Sequence, residues 1–128
     1  DGALLEKICK QLYVVTPNIP EVLSLGSSKD AAENAKYLSK LCHVFLKGGH
    51  AEKKLGYDTL FLKEGKQFSF RPKIKNMFRK HGSGCVLSSA LIANLAKGED
   101  LQRACLKAKQ YTGQILSSNK TLLGYYKI

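Results

Sequence analysis

The chain has 128 residues, with 21 Lys plus Arg against 10 Asp plus Glu, a formal net charge of +11. That length suits one domain, 1–128, with a real core and excludes a multidomain machine. An apolar content of 44% and a charged content of 24% exclude wholesale disorder. Apolar runs such as Leu12–Val15 and Leu87–Ala96 stop short of the ~20 residues that a spanning helix needs, and Asp1-Gly2 opens no basic-then-apolar leader. The sequence is therefore expected to be soluble and cytoplasmic, with no membrane partner.

Ala3 to Gln11, with Leu4, Leu5, Ile8 and Leu12 at helical spacing, predicts a short helix, and Leu12 to Val15 a buried strand. Pro17 and Pro20 end that strand, and a short helix is expected over Glu21–Leu25. Lys29 to Leu41 places Ala32, Ala35, Tyr37, Leu38 and Leu41 mostly on one face of a longer helix. His43 to Lys47 reads as a second buried strand broken by Gly48-Gly49, and Tyr57–Lys63 and Gln67–Arg71 flank Glu64-Gly65-Lys66 as a hairpin. After a basic loop containing Pro72 come His81-Gly82-Ser83-Gly84-Cys85 and an apolar helix over Val86–Lys97, ended by Gly98. Asp100 is placed to cap a last amphipathic helix over Leu101–Leu116; the tail from Ser117 carries no clear pattern. This order is α/β, with apolar strands that want helices on both faces.

Cys9, Cys42 and Cys105 lie in apolar periodic segments and read as small hydrophobes; without a CxxC pair, neither a zinc site nor a disulfide framework is expected. Cys85 alone sits in glycine punctuation, which gives it a claim to chemistry. The +11 charge would favour a polynucleotide, but the lysines are scattered from Lys7 to Lys127 with no arginine-rich tract or interleaved aromatics, so nucleic-acid binding is not expected.

Three segments carry the remaining chemistry. Gly82, Ser83 and Gly84 before a helix offer backbone N–H groups at the positive end of its dipole, an anion cradle; the plainer reading is turn geometry. Cys85 in the first turn would have negative charge favoured by the same dipole, or would simply pack beneath the helix. Asn18 and Glu21, three apart after a strand, are either a magnesium- or water-binding pair or an ordinary helix start. Lys47, followed by Gly48, Gly49 and His50, ends a strand at the edge where open α/β sheets bind ligands; Lys47 could reach phosphate or be an exposed strand-end lysine.

Taken in order, Thr16-Pro17-Asn18-x-x-Glu21, Lys47-Gly48-Gly49-His50 and His81-Gly82-Ser83-Gly84-Cys85 with Leu87-Ser88 resemble the hydroxymethylpyrimidine/phosphomethylpyrimidine kinases of thiamine biosynthesis, in the ribokinase-like superfamily. Asp58-x-Leu60-Phe61, Phe70, Ile74, Ala96-Lys97-Gly98 and Ala108-Lys109-x-Tyr111 extend the match from about Leu4 to about Ile115. The resemblance implies a ribokinase-like fold, a partial and mostly parallel sheet flanked by helices with a β-hairpin. It also implies transfer of the ATP γ-phosphoryl group to a primary alcohol, then to a phosphomonoester, on an aminopyrimidine. Cys85 would be the catalytic base; Gly82, Ser83 and Gly84 the anion hole; Glu21, helped by Asn18, the Mg²⁺ group; and Lys47, with Asn18 and Gly49, the nucleotide-binding set. The roles of His50 and His81 stay open.

The match covers only the carboxyl-terminal half of such a kinase, and the segment supplying most of the pyrimidine pocket is not in it. Arg79-Lys80 stands where the family has small or polar residues, and the tail Gly124-Tyr125-Tyr126-Lys127-Ile128 differs from the usual ending. Half a sheet leaves apolar edges uncovered, so association with a second copy or with the missing amino-terminal half is expected. Two alternatives remain: pyridoxal kinase, whose acceptor is also a hydroxymethyl group, and a non-catalytic nucleotide-binding fragment.

Overall fold

A computed structural model describes residues 2–48, 57–72 and 80–124. By its internal contacts the chain divides into two compact units, Asp1–Arg71 and Pro72–Ile128.

In the first unit, α1 (Gly2–Cys9) leads to β1 (Val14–Val15), then α2 (Ile19–Leu25), α3 (Ala31–Ser39), β2 (His43–Lys47), β3 (Asp58–Phe61) and β4 (Gln67–Phe70). The sheet order is β1-β2-β3-β4. Only β1 and β2 run parallel, with Val14 opposite His43; β2–β3 and β3–β4 are antiparallel. The sheet is thus mixed where a mostly parallel one was expected, because the hairpin adds its own antiparallel pairing and then joins β2 in the same sense. Its turn closes through Leu62 N–H to Lys66 O (2.8 Å), with Gly65 at φ 96°.

The period of two decides which side chains meet. Val44 and Leu46 of β2 and Phe61 of β3 join Val22, Ala35, Leu38, Cys9 and Cys42 in one buried cluster. Phe45, on the alternate face of β2, packs edge-to-face on Phe70 with ring centroids 5.8 Å apart. Each fully buried Leu or Phe contributes roughly 1.5–3 kcal/mol to holding this layer. Asp30 caps α3 by accepting the N–H groups of Ala32 and Glu33, which starts the helix two residues later than its periodicity suggests. Asn34, on that helix yet buried, donates to Val22 O and Ser28 O and accepts from Ser28 N. It stitches the α2–α3 connection, and a Cβ on Gly26 would lie 2.1 Å from its side chain. Strand β1 is shorter than the apolar run that predicts it, since Leu12 and Tyr13 are exposed.

The second unit is a helical hairpin of α4 (Ser83–Ala96) and α5 (Leu101–Leu116), packed along one another. Gly98, at φ 88°, ends α4: its N–H reaches Leu95 O, while Glu99 N–H reaches Asn94 O. Asp100 then caps α5 by accepting Arg103 N–H, as the sequence predicts. Buried Leu101, Ala104, Cys105, Ala108, Thr112 and Ile115 form the inward stripe of α5. No helix among the described residues is long and apolar enough to cross a membrane.

Cys42 gives the first unit a pH signature. Burial, then its neighbour Cys9, pushes the Cys42 thiol up to about 11, against an ordinary value near 9. The core accepts the neutral thiol, so the contribution is complete below the unfolded value and is lost as pH rises through the folded one. Thermal unfolding of wild type and Cys42→Ala across pH 7 to 11.5 should show a gap that narrows from about pH 9 upward; parallel curves would contradict the assignment.

Candidate functional site

The carboxyl ends of the parallel pair bring the first group together. Beyond β1, Pro17 O accepts Lys47 N–H (2.9 Å), and Asn18 forms a parallel bridge with Lys47. Asn18 is also the cap of α2: its Oδ1 accepts Glu21 N–H and its own N–H donates to Glu21 Oε2, both at 2.8 Å. Pro20 lies in the first turn, where its missing N–H costs nothing. This reciprocal capping box is the plainer of the two readings of Asn18 and Glu21, and it fixes where the carboxylate sits. Glu21 remains exposed, beside a cleft of about 350 Å³ that it lines with Val15, Thr16, Pro17, Ser24 and Leu25. Among the described residues no group of three or more His, Cys, Asp or Glu could hold a metal. One exposed carboxylate does suit Mg²⁺ that keeps its waters and takes its other ligands from phosphates.

Asp58 completes this edge. Register places it opposite Lys47, and its Oδ1 accepts Gly48 N–H at 2.9 Å in a buried setting. A Cβ on Gly48 would fall 1.9 Å from Tyr57 O, so the chain can leave β2 here only as glycine. The sequence placed Asp58 only as a matching hairpin residue; the signal that could have found it is a carboxylate heading a strand that continues into apolar Leu60 and Phe61. Gly49 and His50 lie outside the described residues, as does Ile74.

Cys85 and the glycines form the second group. Gly82 is the cap residue of α4, left-handed at φ 73° and ψ 11°, with no side chain closing the helix start. Asn18, Asp30 and Asp100 do close α2, α3 and α5. The first helical bond is Val86 N–H to Gly82 O (2.9 Å), so the N–H groups of Ser83, Gly84 and Cys85 have no acceptor within the helix. The helix begins three residues earlier than predicted, which makes Ser83 and Gly84 part of its first turn and leaves only Gly82 as the turn proper. Cys85 follows them with its thiol exposed, whereas Cys9, Cys42 and Cys105 are buried. His81 is exposed, and its N–H donates to Leu122 O (2.9 Å). Asn18, Glu21 and Lys47 belong to the first unit and residues 82–85 to the second.

Against known proteins, a family profile described as phosphomethylpyrimidine kinase matches residues 2–127. The hydroxymethylpyrimidine/phosphomethylpyrimidine kinase of Haemophilus influenzae is 34% identical over 126 residues, covering 91% of this chain and 47% of that protein. The enzyme of the same description from Aquifex aeolicus is 33% identical over 135 residues, covering 98% and 51%. The chain spans about half the length of the curated relatives it matches. Among solved structures, the ADP complex of Bacillus subtilis pyridoxal kinase superposes with a TM-score of 0.76 at 27% identity, covering 91% of this chain and 46% of that one. An Escherichia coli protein described as a ribokinase, solved with ATP and Mg²⁺, superposes at 0.73 with 18% identity over 92% of this chain and 37% of its own, a likeness of fold alone.

The close approach at Gly48 generates a stability test. Gly48→Ala should lower unfolding free energy by about 1–3 kcal/mol in urea titrations, because the new methyl group meets a main-chain carbonyl that cannot swing aside.

Proposed function

The chain belongs to the phosphomethylpyrimidine kinase family, and from that premise we propose that it carries the catalytic-loop half of an ATP-dependent kinase for hydroxymethylpyrimidine and its monophosphate. The observation that carries this reading is the first turn of α4, with three N–H groups lacking helical acceptors beside an exposed thiol. Such donors suit the negative charge that spreads over a transferring phosphoryl group.

In the first transfer the acceptor's hydroxymethyl oxygen bonds to Pγ, the bond from Pγ to the β-phosphate oxygen breaks, and ADP leaves. Cys85 Sγ takes the hydroxyl proton, and the N–H groups of residues 83–85, turned by Gly82, hold the equatorial oxygens. To Lys47, Asn18 and Gly49 we assign the nucleotide phosphates, as the family resemblance implies. Glu21 would hold the water shell of Mg²⁺, whose chemistry there is to neutralise charge on the β- and γ-phosphates. The second transfer differs in kind: its acceptor is a phosphate oxygen, largely ionised at neutral pH because its second pKa is about 6, so no base is required. Cys85 as a base needs a reduced thiol, which fits a cytoplasmic setting. Strand β1 ends the described sheet with exposed Leu12 and Tyr13 beside it. That edge supports completion of the pyrimidine pocket by a second copy or by the amino-terminal half that the relatives possess.

Pyridoxal is the second acceptor to weigh, since pyridoxal kinases are among the structural neighbours. ADP release with Mg²⁺-ATP should depend on added hydroxymethylpyrimidine and respond less to pyridoxal; the reverse preference would make it a pyridoxal kinase. No acceptor-dependent release, together with no ATP-induced shift in the amide resonances of residues 83–85, would overturn the reading. Cys85→Ala should slow the first transfer by about 10²–10⁴-fold while leaving ATP affinity and the second transfer within about threefold of wild type. An equal loss in both transfers would show that Cys85 is not a base.

A further inference from the structure

Lys80 is 6% exposed, two residues before the left-handed glycine that opens α4. A buried ammonium is costly unless its donors are met. Here Nζ donates to Asn119 O at 2.5 Å and Thr121 O at 2.6 Å, both short, charge-assisted bonds to main chain. The next residue repeats the connection, His81 N–H donating to Leu122 O at 2.9 Å.

The acceptors are themselves held. Asn119 Oδ1 accepts from Thr121 N–H and Oγ–H, and its Nδ2 donates to Leu123 O, which folds residues 119–123 into a tight turn presenting its carbonyls to Lys80. Both ends of that turn are seated on the last turn of α5. Ser118 Oγ–H donates to Ile115 O (2.7 Å), and Gly124 lies so close that a Cβ would come within 2.5 Å of Ile115 Cγ2.

An amide anion hole works only when its donors are aimed in advance, and α4 fixes them from one side alone. Upstream stands Gly82, free to rotate where any other residue would resist. We propose that Lys80 is a positioning residue: clamped to the turn after α5, it holds the approach to Gly82 and thereby aims the N–H groups of Ser83, Gly84 and Cys85. The consequence for phosphoryl transfer rests on the function proposed above; the clamp itself does not.

The test uses ¹⁵N-labelled chain with Lys80→Met, which keeps the stem and removes the donors, with Lys80→Arg, which keeps charge and donors, and with Asn119→Ala, which unfolds the turn without touching Lys80. In Lys80→Met the amide order parameters of residues 82–85 should fall from about 0.85 to below about 0.6 while those at Leu91 in mid-α4 hold. Exchange at His81 should accelerate at least about tenfold, and inorganic phosphate should bind at these amides about tenfold more weakly. Lys80→Arg should restore most of this loss, and Asn119→Ala should reproduce it. Unchanged order parameters in Lys80→Met, or an Arg variant no better than Met, overturns the proposal; should Lys80→Met fail to fold, unchanged values in Asn119→Ala do so. Loosened amides in Lys80→Met, with a wild type that shows neither acceptor-dependent ADP release nor an ATP-induced shift at residues 83–85, would refute the proposed function and leave the clamp standing, whereas rigid amides in Lys80→Met of a wild type that does both would refute the clamp alone.

Discussion

A helix that begins without a side-chain cap leaves its first N–H groups for some other acceptor, and where Asn18, Asp30 and Asp100 close the starts of α2, α3 and α5, this open turn is the constraint around which the second unit is organised. Gly82 is left-handed at the turn, Ser83 and Gly84 open the helix, and Cys85 follows with an exposed thiol. A capping Asp or Asn at 82 would satisfy the donors internally and remove what can be offered to a phosphate. The open start is tolerated because α4 is long and packed along α5, so packing rather than the terminal bonds holds it.

The first unit solves a related problem in the opposite way. Its parallel pair ends in a capping box that uses Asn18 Oδ1 and Glu21 Oε2 internally. The cap fixes Glu21 just beyond the end of β1, and the magnesium role proposed for it would ask only for the lone pairs its carboxylate keeps beyond the capping bond. Asp58 plays the same supporting part for Lys47, gripping the Gly48 N–H so that the chain turns away where a side chain could not pass Tyr57. Buried polar groups in this protein thus hold main chain in place: Asn34 between α2 and α3, Asp58 at the end of β2, Lys80 before α4.

The elements that were legible in advance are those with local causes. Helical spacing of apolar residues, Asp100 as a cap, Gly98 as a stop and the turn at Gly65 each act within a few residues, and each sits where its chemistry predicts. Boundaries slipped where a neighbour decided them: the regular ladder with β2 takes in only Val14 and Val15 of the apolar run, and α4 starts early because Gly82 turns the chain at once.

The sequence by itself determined the family and the α/β order of elements, because motif spacing and helix-start chemistry are written along the chain. Tertiary structure alone decided that Asn18 meets Lys47 and that Asp58 stands opposite that lysine, since strand register depends on partners more than ten residues away. It also decided the place of Lys80. A lysine in a basic stretch reads as a solvated charge until the fold returns a carbonyl-lined turn, about forty residues later in the chain, to surround its ammonium.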